Sequence, residues 1–483
     1  MSNLKRFFKD TLIYGIAAVL PRAINILLVK LHTNTLSSEK YAENTLYFVY
    51  AAYLNAILTF GMETAFFRFF TKEKEKGKVI STSFYSILSV TIIFLALALY
   101  FSKELSIYFG FGHPIYLQIL IWVTALDTLV VIPFAYLRAT NKPIKFASVK
   151  IFNILIYAFF NILFLLFLPK WIEQGHTLSI LEETYHKYPL VVFIFLSNLF
   201  ASIFTFIILF PIILKFKFTF DKKLLREMMA YGIPILITSL AFVTNENLDK
   251  ILLEKYLGKE EMGIYAACYK LGVFMMLFTM AFKLGAEPFF FNKAADKNAK
   301  ETYAKILNWF TILGSLFLLV VILFLPLFAK LLLGDESYYA GLKIVPIILY
   351  ANLMLGISYN LAVWYKLTDK TIYGTYFALV GSVITILVNI WLIPKIGYMA
   401  SAWATLFSYG IIVILSYFTG KKHYPIPYSI SKTTFYLITS LIISMISLSQ
   451  FNGNYVVSVL LLLLFTSLIL WKEKSELQNI FKK

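Results

Sequence analysis

One cysteine, five histidines and little charge set this sequence apart from most enzymes. Cys268 stands alone in an apolar run, so no disulfide framework and no thiolate metal site can be built. His32, His113, His176, His186 and His423 fall in loops or at the ends of apolar runs, without ligand spacing. The chain has no Gly-rich phosphate loop of the G-x-x-x-x-G-K-[ST] type and no H-E-x-x-H helix. Long polar loops are missing too. The longest outward one, 170–188, is too small to hold a sugar substrate as a domain would. The expectation is no catalytic residue, no metal and no cofactor. A membrane-embedded glycan polymerase or ligase is disfavoured for the same reason. Only 14% of residues are charged, against roughly 25% in soluble domains.

What is present is apolar length. Fourteen runs between residues 12 and 471 reach 18 residues or more, the length of a transmembrane helix. The fold class expected is an all-α integral membrane protein with about 14 transmembrane helices. The formal charge of +18 raises the question of nucleic acid, but its distribution answers it. Lys and Arg concentrate in the even-numbered loops and both tails, which is the positive-inside pattern. This places both termini in the cytoplasm and makes a nucleic-acid partner unnecessary. The opening MSNLKRFFKD has the charge pattern of a signal sequence but no A-x-A site before the next apolar run, so it reads as an uncleaved first helix.

The chain also echoes itself. GMETAFFRFF at 61–70 returns as GAEPFFF at 285–291, aligning Glu63 with Glu287. YGI at 14–16 returns at 231–233, RATNK at 138–142 as KLTDK at 366–370, and Asn161 as Asn389. Four matches in order imply two six-helix halves and a terminal pair. The division expected is an N-terminal lobe over 1–214, a basic cytoplasmic connector over 215–228 and a C-terminal lobe over 229–430. Helices 13 and 14 follow over 431–471, then a tail over 472–483. Six is even, so the repeat is parallel, about an axis along the membrane normal. The glycine lets helices approach closely, and the glutamate anchors a helix end near the interface or takes part in ion coupling.

Ionisable residues inside spans cost about 2.5–3.5 kcal/mol each at mid-membrane and usually face a cavity or partner. Arg22, Asp127 and Lys270 lie at such depth. Arg22 follows Pro21, and Asn25 is one turn on. These four residues are the expected substrate contacts, with Arg22 and Lys270 supplying cations. An Arg22–Asp127 pair is the structural alternative. Lys283 and Glu287, like Glu246 and Lys250, have i,i+4 spacing suited to an ion pair. Glu63, Glu287, Asp249 and Lys250 are candidates for ion coupling or gating.

Two stretches carry a family resemblance. NLDKILLEKYLGKEEMGIYAACYKLG, 247–272, resembles the junction between helices seven and eight of the bacterial polysaccharide transporters. The matching residues are Asp249, Lys250, Gly258, Gly263, Ile264, Tyr265, Ala266, Ala267 and Tyr269. NIWLIPKIGYMASAWATLFSYG, 389–410, is similar to the same family's eleventh-to-twelfth junction through Asn389, Pro394, Gly397, Ala402, Ala404, Thr405 and Ser408. That family lies within the multidrug, oligosaccharidyl-lipid and polysaccharide exporter superfamily. The resemblance implies a flippase of the bacterial inner membrane. It would move polyprenyl-diphosphate-linked oligosaccharides outward by alternating access, for O-antigen (lipopolysaccharide), capsule or exopolysaccharide assembly. Its partners would be the lipid-linked substrate, membrane lipid and other polysaccharide-assembly proteins of the membrane. A peptidoglycan-precursor (lipid II) flippase and a cation-coupled multidrug exporter are the alternatives.

Overall fold

The structure, a computed structural model, describes residues 3–175, 179–294 and 296–481, and every regular element among them is helical. Among the described residues, fourteen helical stretches are long and apolar enough to cross a membrane. At 1.5 Å per residue, about 20 residues span the hydrocarbon. The first seven are Ile13–Thr35, Ser38–Lys72, Lys76–Tyr100, Pro114–Ala139, Pro143–Glu173, Val191–Ile213 and Lys222–Leu257. The next seven are Lys259–Phe291, Ala299–Leu323, Glu336–Leu367, Ile372–Ile396, Met399–His423, Ile430–Gln450 and Tyr455–Lys472. In lipid a helix satisfies its own backbone, which is why the apolar segments of this chain are helical.

The chain forms two compact units, Met1–Ala266 and Ala267–Lys483. In the first, the fifth span packs on the first and sixth, and the seventh on the second. The second span is broken after Thr59, where Phe60 (φ 35°) and Gly61 (φ 72°) turn left-handed and a new helix starts at Met62. A Cβ on Gly61 would lie 2.2 Å from the carbonyl oxygen of Gly232, so only glycine fits there. This is the close approach expected of Gly61. Below it, Phe66 and Phe70 stack 5.1 Å apart within a buried cluster.

Residues 215–221 are not helical. Thr219 and Asp221 donate their backbone N–H groups to Ser81 and Thr82 on the third span (2.7 and 3.1 Å). Asp221 then caps the seventh-span helix, accepting from the backbone N–H groups of Lys223 and Leu224. Those bonds, the one from Leu224 foremost, hold its carboxyl below the usual carboxylate range.

In the second unit the twelfth span packs on the tenth and eleventh. Ala400, Ala402 and Ala404 are buried in that packing. The terminal pair lies on the ninth span: Ile312, Leu319 and Leu323 meet Tyr436, Ile443, Phe465 and Ile469. Small and aromatic residues at these seams fit an environment where close packing, rather than exclusion of water, holds helices together.

Candidate functional site

Asp127 is half-buried on the fourth span and accepts a hydrogen bond from the Ser202 hydroxyl of the sixth (2.7 Å). The cation facing it is Lys150 of the fifth span, which interacts electrostatically with Asp127. Lys150 lies over the Phe134 ring at 4.3 Å. One turn further along, the Asn153 amide donates to the Ala201 carbonyl and the Thr205 hydroxyl (3.1 and 2.9 Å). The fourth, fifth and sixth spans therefore share a polar seam inside the first unit. Lys150 was not among the expected residues. The signal for it was present, a lysine a few residues inside an apolar run.

The Arg22–Asp127 pair considered from the sequence is not formed. Lys150 is instead the cation in electrostatic reach of Asp127, beyond ion-pair distance, on a span packed directly beside the sixth, which carries Ser202. Arg22 and Asn25 are exposed on the first span, and no carboxylate among the described residues lies within ion-pair distance of Arg22. The same span is tied to the fifth by His32 and Asn161, whose Nε2 and Oδ1 are 2.8 Å apart. His176 lies outside the described residues.

The echoed glutamates both carry a cation. Arg138 donates to Glu63 Oε1 at 3.1 Å, both side chains being nearly half exposed, and lies 4.7 Å over the Phe67 ring. Lys366 donates to Glu287. Arg138 and Lys366 open the two echoed segments RATNK and KLTDK. The expected Lys283–Glu287 pair is thus replaced by Lys366–Glu287, because the tenth span brings an ammonium to that carboxylate. Lys283 instead sits 4.5 Å over the Tyr359 ring. Lys270, on the same eighth-span helix, is exposed.

Asp249 and Lys250 are buried and bonded to each other at 2.9 Å. Tyr265 donates its hydroxyl to Asp249 Oδ2 at 2.6 Å, and Lys250 also donates to the Glu246 carbonyl. Lys250 therefore takes its carboxylate from the adjacent Asp249, while Glu246 contributes a backbone oxygen. A Cβ on Gly263 would lie 1.9 Å from the Ser38 carbonyl oxygen. The D-K…G-I-Y pattern is thus a clasp: the carboxylate and ammonium satisfy each other, the tyrosine locks the eighth span to the seventh, and the glycine admits the second. At the other matched junction, Ser401 donates to Asn389 Oδ1 (2.6 Å) and Ser408 to the Gly381 carbonyl (3.0 Å).

The chain resembles solved structures along most of its length. A lipid II flippase MurJ in an inward-closed conformation superposes with a TM-score of 0.73 at 17% identity, covering 95% of this chain and 99% of that one. An inward-facing multidrug resistance MATE family transporter of the MOP superfamily superposes with a TM-score of 0.64 at 11% identity, covering 87% and 96%. At these identities the likeness is one of fold, an all-helical membrane-protein architecture. No curated protein matches the chain. The MatE family model matches residues 234–391. The model described as polysaccharide biosynthesis protein matches residues 7–275, more than half of the chain. The chain belongs to the polysaccharide biosynthesis protein family, as a multi-pass membrane protein with fourteen spans among its described residues.

Proposed function

We propose that this protein flips polyprenyl-diphosphate-linked oligosaccharides from the cytoplasmic to the outer leaflet of the bacterial inner membrane by alternating access, for cell-surface polysaccharide assembly. The observation that carries this is Arg22, an exposed guanidinium in an apolar span with no carboxylate partner among the described residues. A diphosphate cannot cross hydrocarbon without compensating charge. A guanidinium supplies it with two parallel hydrogen bonds. Lys270 is the second cation we assign to the head group, with Asn25 beside Arg22. Asp127, bonded to Ser202 and facing Lys150, belongs to a polar seam that we assign to sugar contacts.

The test is Arg22→Ala. Losing a charge-assisted, desolvated bond costs about 2–3 kcal/mol, so flipping falls by roughly two orders of magnitude at normal protein abundance. Arg22→Lys retains part of it. Undiminished transport by a well-expressed Arg22→Ala variant refutes the assignment. The likeness to the MurJ structure over 95% of this chain supports a second reading, in which the cargo is lipid II. The lipid-linked glycan that accumulates inside cells after deletion separates the two. Peptidoglycan precursor favours the second, and any other oligosaccharide the first.

A further inference from the structure

Two of the pockets at the helix ends of the first unit differ in charge. The larger is lined by Lys72, Lys74, Lys78 and Lys223 together with Glu73, Glu75, Asp221 and Glu227. Its four cations are matched by four carboxylates. The smaller, about 140 Å³, is lined by Lys142, Lys145 and Lys215, with Tyr136 and the apolar Ile212 and Phe216 among its walls, and holds no carboxylate. None of the three lysines forms an ion pair among the described residues, and Lys142 lies 5.9 Å over the Tyr136 ring. Three exposed lysines lining one cavity without a carboxylate leave it with a local excess of positive charge, which favours an anion there.

The geometry points to a phosphate-binding site in this smaller pocket, occupied by the head group of an anionic membrane phospholipid. Lys142 and Lys145 open the fifth span, and Lys215 lies two residues past the sixth. All three therefore stand at the head-group level of one membrane face, where basic pockets between helices hold anionic lipid. The volume, about 140 Å³, is below the 300–1,000 Å³ of drug-sized sites and suits one phosphate group, while Ile212 and Phe216 close the pocket against the buried core of the first unit. The Lys215 segment is pinned to the third span by the Thr219 and Asp221 backbone N–H groups and by the Tyr85 hydroxyl, which donates to the Phe216 carbonyl, so the backbone that carries the third cation is fixed.

Native mass spectrometry on the delipidated full-length protein tests this. The wild type is expected to retain phosphatidylglycerol over phosphatidylcholine. Each Lys→Gln change at 142, 145 or 215 should lower retention about fivefold, and the triple variant should lose the preference at an unchanged melting temperature. Lys72→Gln, Lys74→Gln and Lys78→Gln together, in the compensated pocket, should leave retention intact. Displacement by millimolar inorganic phosphate would assign recognition to the phosphate alone. Persistence against it would assign the lipid as the source; both support the site. Equal retention by the wild type and the 142/145/215 triple variant, or equal loss in both triple variants, overturns it.

Discussion

Glu63 and Glu287 occupy the same place in two copies of one sequence pattern, yet the helices around them differ. The second span breaks at Phe60–Gly61 and wedges Gly61 against the Gly232 backbone. The eighth-span helix runs unbroken from Lys259 to Lys293, and a Cβ on Gly285 would meet nothing within 4 Å. The glycine recurs without its packing role. What recurs in both is the ion pair, Glu63 with Arg138 and Glu287 with Lys366. The buried phenylalanine three residues on, Phe66 or Phe290, recurs with it. A repeated residue type is therefore weak evidence of a repeated role. A repeated pairing between two echoed segments is stronger, because two positions must agree in charge and in space.

The test with the largest effect concerns membrane side, an all-or-none outcome. With Cys268→Ser as background, Lys76→Cys and Lys297→Cys each place one thiol just beyond a foot. Cys268 is buried and donates to the Tyr338 carbonyl, and serine keeps a donor there. An impermeant maleimide outside intact spheroplasts is expected to label neither position, and both after permeabilisation. Labelling of one but not the other before lysis would break the parallel repeat and make the two feet unlike in kind.

The glycines come next. Gly61→Ala forces a side chain into a left-handed residue, costing about 1–2 kcal/mol, and adds a clash with Gly232 worth about 1–3 kcal/mol. Gly285→Ala replaces glycine within an open stretch of helix and should be neutral or stabilising by up to about 1 kcal/mol. Thermal unfolding in detergent distinguishes them: a clear drop for Gly61→Ala and none for Gly285→Ala. Equal melting temperatures for the two variants would erase the contrast.

Much of this was legible beforehand because lipid imposes it. Each of the fourteen apolar runs overlaps one of the fourteen spans found among the described residues, several of these spans running longer than the apolar run at one or both ends. Within a membrane only helices and closed barrels satisfy the backbone. Pairings were harder to see. The i,i+4 spacing of Lys283 and Glu287 is an ion pair that sequence alone displays, but Lys366 is 79 residues from Glu287 in sequence. Only the fold could choose between them. The echo of RATNK and KLTDK held the clue, in the basic residue that opens each. Lys150 escaped notice because a lysine near the start of an apolar run looks like loop, until its span is packed beside Asp127. The D-K…G-I-Y pattern was visible as a pattern. Its cause, the Tyr265–Asp249 bond and the Gly263–Ser38 contact, needed coordinates.

The smallest effect concerns the cations themselves. Both pairs are partly exposed, and such pairs contribute about 0–1 kcal/mol, so breaking either alone should barely move the melting temperature. Arg138 has something more, a guanidinium 4.7 Å over Phe67, worth about 0.5–1 kcal/mol at an exposed site. Its planar fork also fits a carboxylate better than an ammonium does. Arg138→Lys should therefore cost about 0.5–1 kcal/mol, while Lys366→Arg changes stability by less. A double-mutant cycle on Glu63→Gln and Arg138→Gln should give a coupling below about 1 kcal/mol, with a similar value for Glu287→Gln and Lys366→Gln. A coupling of several kcal/mol in one foot alone would show that the two ion pairs, alike in position, are unlike in strength.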